Sequence, residues 1–283
     1  MVLFDFNNPE NEVLHLPFIG DFDEDNYSPH GISLYENMTS GEMRIFVVNH
    51  HKSQQERIEV FRFDEKHSSL HHIKTITGQN IYSVNDLVAV GPETFYYTND
   101  LYFSKLGPIA YQMEMYSGLS LGNIGLYING KDTILSTGHR FPNGINISPD
   151  GKYLYVATLT PGVLLIFSRK EDNSIEDVKR VNLYTAIDNI EVDRESGDLW
   201  IGCHPKLHLL MEHERNHSKS AGSQVLRLRF GDQNSPFENI EVREVLMDDG
   251  SLIKGSSVAS YYDNKMLVGT VANKLAYCEI IAF

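Results

Sequence analysis

Apolar and polar positions alternate in short runs along the whole chain, and most runs end in Gly, Pro, Asn or Asp. A period of two is the mark of a strand, and the breaker residues mark its turns. Five segments share one plan: a polar residue or Gly, an alternating strand, a turn, then a second apolar strand. They are HGISLYENMTSGEMRIFVVNH from His30, NDLVAVGPETFYYTND from Asn85, NGINISPDGKYLYVAT from Asn143, DNIEVDRESGDLWIGCH from Asp188 and GSSVASYYDNKMLVGTV from Gly255. Further short strands, such as Ile58–Phe63, Val163–Phe167 and Val225–Arg229, lie between them. Four short strands every roughly 40–50 residues, joined by turns such as Pro149-Asp150-Gly151, read as the blades of a β-propeller. A β-sandwich gives no reason for a polar residue to recur at the head of these strands. A propeller does, because its innermost strands all start around one axis. The pattern therefore predicts an all-β chain, a single β-propeller domain over residues 1–283. Val2–Asp5 and Glu12–Leu16 read as strands ahead of the first repeat, and residues 102–118 as a short helix.

Composition narrows the function more than the fold. The 283 residues are 41% hydrophobic and 22% charged, ordinary for a globular protein. A formal charge of −14 argues against nucleic-acid binding, which runs on Lys and Arg. No run approaches the roughly 20 apolar residues of a membrane span, and no secretory signal is visible at the start. The two cysteines, Cys203 and Cys278, have no zinc-like spacing and read either as one disulfide or as two thiols.

The chemistry sits at the repeat heads. His30, Asn85, Asp86, Asn143, Asp188 and Asn189 together offer carboxylate and amide oxygens and one imidazole. That donor set suits Ca²⁺ better than Zn²⁺, which takes several His or Cys ligands. Asn and Asp also occur at turn–strand junctions, where they bond their own backbone. Their recurrence at equivalent places sets these apart. Other signals are weaker. Gly118-Leu119-Ser120-Leu121-Gly122 matches the nucleophile elbow of α/β-hydrolases without the strand–helix context that elbow needs. Asp21, Asp23 and Asp25 imitate the start of an EF-hand loop but lack its Gly and Glu. His67, His71 and His72 read as a surface cluster, or as a metal clip on a helix. Asn37, Asn146 and Asn216 open glycosylation sequons, with Asn146 inside a strand.

PHGIS at Pro29–Ser33, VVNH at Val47–His50, NDLVAVGPETFYYTNDLYF at Asn85–Phe103, NGINISPDGKYLYVA at Asn143–Ala157 and DNIEVDRESGDLWIGCHP at Asp188–Pro205 resemble the paraoxonase/arylesterase family. The resemblance spans nearly the whole chain. It implies a six-bladed propeller with two calcium ions, hydrolysing lactones and aryl esters. By motif it puts Asn85, Asn143, Asp188 and Asn189 on a catalytic calcium, and Asp86 with the Ile32 carbonyl on a structural one. It makes His30 the proton acceptor with His50 behind it, while Phe141 and His204 are candidates for the pocket wall. Calcium would polarise the carbonyl and His30 would activate water. The resemblance also implies a propeller incomplete at the amino terminus, with one acidic ligand missing from each calcium site and no cysteine to pair with Cys278. It further implies a secreted or membrane-associated protein, glycosylated at Asn37 and Asn216, with a small-molecule ester or lactone as partner, a possible lipid surface and no nucleic acid. The rival readings are a non-catalytic calcium-binding scaffold and an inactive truncated isoform.

Overall fold

The computed structural model describes residues 1–53, 55–231, 236–271 and 274–281. Its contacts cluster into two compact units, Met1–Pro142 and Asn143–Phe283. The first unit opens with a short antiparallel pair, β1 (Val2–Leu3) and β2 (Leu14–His15), followed by β3 (Phe18–Ile19). An antiparallel meander follows: β4 (Pro29–Glu36), β5 (Met43–His50), β6 (Glu56–Asp64) and β7 (Ser69–Ile76), with β3 parallel to β7 at its edge. A second meander holds β8 (Val84–Gly91), β9 (Thr94–Asn99), β10 (Gly122–Ile128) and β11 (Lys131–His139), with helix α1 (Pro108–Ser117) between its second and third strands.

The second unit repeats the plan. β12 (Pro142–Ile147), β13 (Tyr153–Thr158), β14 (Val163–Arg169) and β15 (Ile175–Asn182) form one sheet. β16 (Ala186–Val192), β17 (Leu199–His204), β18 (Ser223–Arg229) and β19 (Glu241–Asp248) form the next, with helix α2 (Leu207–Arg215) between β17 and β18. β20 (Ser256–Tyr262), β21 (Lys265–Thr270) and β22 (Leu275–Glu279) make a three-stranded sheet.

Each meander is the blade of a β-propeller, two in the first unit and three in the second. All five repeat heads found in the sequence fall at the first strand of a blade. The expected six blades are corrected to five among the described residues. The residues ahead of His30 build only two-residue strands, two pairing with each other and one extending the first sheet, so they make no blade of their own. The helix expected within residues 102–118 is present, as a 3-10 turn at Phe103–Leu106 followed by α1. Helix α2 was not anticipated.

Alternation decides which neighbour each side chain meets. On β17, Leu199, Ile201 and Cys203 share one face and join a cluster with Tyr155, Ala157, Leu164 and Ile166 of the preceding blade. Trp200 points the other way, clusters with Ala259, Met266 and Val268 of the following blade, and stacks on Tyr261 at 4.5 Å. The Arg227 guanidinium lies 5.6 Å over the Trp200 ring, while its Nε donates to Asp198 at 2.7 Å. In the first unit Phe46, Val48, Ile58 and Val60 meet Leu87, Phe95, Tyr97 and Tyr127 in the same manner. Both faces of these strands are buried, which is why LWIGC reads as a nearly unbroken apolar run. Cys203 and Cys278 are both thiols, and burial pushes Cys203 well above the ordinary range.

Ile201→Ala removes a fully buried side chain from this contact and should destabilise the protein by about 2–5 kcal/mol. The single tryptophan, Trp200, is its chain neighbour and fully buried, so tryptophan fluorescence in a urea titration reads the transition. An unfolding midpoint equal to that of the wild type would contradict the packing described.

Candidate functional site

The predicted site residues lie where the strand ladders break. On β4 the pairing runs Pro29 to Asn49 and then Ile32 to Val47, leaving His30 and Gly31 opposite the single residue Val48. On β8 it runs Val84 to Asn99 and then Leu87 to Tyr97, so Asn85 and Asp86 face Thr98 alone. On β16 it runs Ile187 to Cys203 and then Ile190 to Ile201, so Asp188 and Asn189 face Gly202. Two residues against one is a β-bulge, which frees both from the ladder and re-aims their side chains. The Asp86 bulge is tied back to its opposite residue, its backbone N–H donating to Thr98 Oγ1 at 3.2 Å.

A glycine in one blade presses on the bulge of the next. A Cβ added to Gly31 would lie 2.7 Å from Asp86 Cα and 2.8 Å from Asn85 O. One added to Gly144 would lie 2.5 Å from Asn189 Cα and 2.6 Å from Asp188 O. Real Cβ atoms do not come this close, so only glycine fits beside either bulge.

In the first unit the structure brings His30 and His50 together, with ring centroids 4.9 Å apart. His30 is exposed, and His50 closes β5 half-buried. His50 Nδ1 lies 2.9 and 3.0 Å from the two carboxylate oxygens of Glu56. Burial alone would lower the His50 imidazole, but the hydrogen bond and charge of Glu56, with the charge of Asp100, outweigh it and leave it raised. Asp100 accepts from Ser83 Oγ at 2.6 Å and from the Asn85 side chain. Burial exceeds those two bonds and the attraction of His50, so the Asp100 carboxyl is also raised. Asn85 Oδ1 is buried with no hydrogen-bond partner. Ile32 stands where the β4 register resumes.

Asn99, fully buried at the end of β9, braces the loop that leads into the second bulge. Its Oδ1 accepts from the backbone N–H groups of Tyr82 and Ser83, and its Nδ2 donates to Asn80 O at 2.7 Å and to Asn123 Oδ1 at 2.9 Å. That exhausts what a primary amide offers: two lone pairs and two protons.

In the second unit Asp188 Oδ2 meets His204 Nε2 at 2.9 Å, and Asn189 Nδ2 donates to Asp188 Oδ1 at 3.3 Å. His204 is almost fully buried, and its Nδ1 has no hydrogen-bond partner. It therefore holds a bulge carboxylate. Asn143 is buried at the start of β12, next to Gly144. Phe141, half-buried in the first unit, has φ +47°, with the Arg140 guanidinium 5.7 Å from its ring centroid. A non-glycine residue held at positive φ is strained backbone of a kind that gathers at functional sites.

The weaker candidates resolve as local structure. Ser120 is exposed between α1 and β10, so a helix precedes it and a strand follows, the reverse of a nucleophile elbow. Asp23 bonds Asn26 and His51 beside a 3-10 turn at Glu24–Asn26. The helix suggested for His67, His71 and His72 is corrected: His67 lies in a turn bonded to Asp64, and the other two are on β7, where His72 bonds the buried Glu59. The alternating run SLHHIKTI carries a strand period. Asn37 Oδ1 accepts from Thr39 N–H, and the exposed Asn216 Oδ1 from Ser218 N–H, each shaping its own turn. Asn146 is half-buried, donating to Ile190 O.

Among the described residues no three His, Cys, Asp or Glu side chains gather closely enough to hold a metal ion. A cation here would depend on amide and carbonyl oxygens beside single carboxylates, a donor chemistry that fits calcium and not zinc. The unpartnered Asn85 Oδ1 is one such acceptor. Glu56, Ser83 and Asp100 escaped the sequence reading. Asp100 was visible as the second half of the pair that ends the Asn85 hairpin.

The family model of arylesterases matches residues 1–280. The chain is 39% identical over 281 residues to human serum paraoxonase/arylesterase 1, covering 99% of this chain and 76% of that protein. It is 38% identical to chicken serum paraoxonase/arylesterase 2, over 98% of this chain and 76% of the relative. Among solved structures it is similar to a Bacteroides uniformis protein named as a candidate 6-phosphogluconolactonase, with a TM-score of 0.50, 13% identity, and coverage of 84% of this chain and 77% of that one. At that identity the likeness speaks for the fold alone. The sequence matches decide the family: this chain belongs to the arylesterases of the paraoxonase type.

Proposed function

We propose that the protein is a calcium-dependent hydrolase of lactones and aryl esters. The observation that carries this reading is the repeated bulge, which sets His30 beside His50 in one blade and frees Asn85 with Asp86 and Asp188 with Asn189 in others. Family membership supports hydrolysis as the reaction class.

The oxygen donors offered to calcium are Asn85, Asp86 and the Ile32 carbonyl in the first unit, and Asn143, Asp188 and Asn189 in the second. Calcium, when bound, polarises the substrate carbonyl and offsets the charge that develops on its oxygen. His30 is exposed and so accessible to a water molecule, from which it takes a proton as the water oxygen bonds to the acyl carbon. His50, packed against His30, accepts that proton in turn. On collapse the proton goes to the departing alkoxide or phenoxide, and both imidazoles return to their starting state. His204 keeps the Asp188 carboxylate in place through its 2.9 Å bond.

A lipid surface is the partner proposed for α1. Ile109, Met113 and Tyr116 lie at helical spacing, all at least two-thirds exposed.

Removing calcium with a chelator should abolish phenyl acetate and lactone hydrolysis, and adding calcium back should restore both. His30→Gln should lower kcat about 10²–10⁴-fold with the fold intact by circular dichroism. A folded, calcium-loaded protein inert towards both substrates would favour the scaffold reading. Asn85→Ala should raise the calcium concentration needed for half-maximal activity, since it removes an oxygen donor. For the helix, Met113→Asp should weaken co-flotation with anionic phospholipid vesicles while leaving phenyl acetate turnover unchanged.

A further inference from the structure

We propose that Glu56 is a positioning residue for this hydrolysis: its carboxylate fixes the His50 imidazole with Nδ1 protonated and so turns His50 into the proton store for His30. The inference rests on the reading of His30 as the base that activates water.

The geometry follows from the register. His50 is the last residue of β5 and Glu56 the first of β6, and the two are direct cross-strand partners. Both carboxylate oxygens of Glu56 lie within 3.0 Å of Nδ1. An ionised carboxylate only accepts, so Nδ1 must carry the hydrogen, and Nε2 is the nitrogen left to exchange a proton. The ring that presents it packs against His30. A carboxylate that fixes the tautomer of an imidazole and offsets its positive charge is the orienting role of the acid in a hydrolytic triad. Here it stands one histidine further from the water.

The groups facing His50 are Glu56 from β6, Asp100 from the end of the β8–β9 hairpin and His30 from β4. Asp100 is engaged by Ser83 Oγ and the Asn85 side chain, and burial raises it. Glu56 alone of the two carboxylates has a hydrogen bond to His50. During turnover an O–H bond of water breaks, its oxygen bonds to the acyl carbon, and the proton passes to His30 and then to His50 Nε2. His50 becomes an imidazolium against Glu56 until the proton leaves with the alkoxide. No electron pair or proton is left over.

A merely structural Glu56 would clip the β5–β6 hairpin and nothing more. The test uses the full chain with calcium and phenyl acetate, comparing wild type, Glu56→Gln and Glu56→Asp. Glu56→Gln should lose about 10–100-fold in kcat with KM within about twofold, and Glu56→Asp should recover part of that loss. The amide of Glu56→Gln would still accept from Nδ1–H but would carry no charge, so the burial that lowers His50 is less opposed and the acid limb of the pH profile should move to lower pH. The His50 ring resonances, titrated by NMR, should move the same way. Wild-type kcat and pH profile in Glu56→Gln would overturn the proposal. So would a loss of kcat that tracks a lower melting temperature and leaves the His50 titration unmoved. If the wild type itself hydrolyses neither phenyl acetate nor a lactone, the hydrolase reading fails on its own account. NMR of the His50 ring nitrogens then decides the role of Glu56: Nδ1 protonated in the neutral wild-type ring, with a titration lowered in Glu56→Gln, upholds it, and the absence of either refutes it.

Discussion

Two residues opposed by one, at the head of a blade's first strand, is the constraint on which the site depends. A regular ladder would point only every second side chain to a given face and would lock each backbone group into pairing. The bulge lifts two consecutive residues out of that rule, so an amide and a carboxylate can sit side by side on a stiff element. Asn85 with Asp86 and Asp188 with Asn189 are both held in this way. His30 occupies the same kind of place, with a glycine as its companion. That companion is required because the neighbouring bulge leaves no room for a side chain.

The rigidity behind the bulges comes from strands buried on both faces. β17 shows this most fully: its odd positions pack towards one neighbour, Trp200 towards the other, and the ladder continues into His204, which grips Asp188. Core and site are thus one strand apart in sequence and continuous in structure. In the first unit the path is shorter. His50 ends the same β5 whose Phe46 and Val48 sit in the core between two blades, so the imidazole is carried on a strand that cannot shift without opening that core.

Much of this was legible in the chain. The alternation placed all five first strands, and the polar heads named the residues that the bulges release. The doublets Asn85-Asp86 and Asp188-Asn189 were themselves the signature of the bulge, two polar residues where strict alternation allows one, although the register was needed to see it. What stayed hidden was pairing at a distance. Nothing local in Glu56 or Ser83 ties them to His50 or Asp100, since those contacts exist only once β5 meets β6 and β8 meets β9. The bond from His204 to Asp188 stayed hidden for the same reason, its partner lying 16 residues earlier on the facing strand. The count of six blades came from the resemblance, and the short strands ahead of His30 do not build another blade.

Asn99 carries a consequence for how the protein ages. Its amide is balanced between two acceptor and two donor duties, all deep inside the fold. Conversion of that side chain to the acid, a change of one heavy atom, would set a negative oxygen against Asn80 O and Asn123 Oδ1. Two attractions would become repulsions, and the loop that delivers Asn85 would lose its brace. Slow chemical wear at this one nitrogen would reach the Asn85–Asp86 bulge of β8 without altering any residue there.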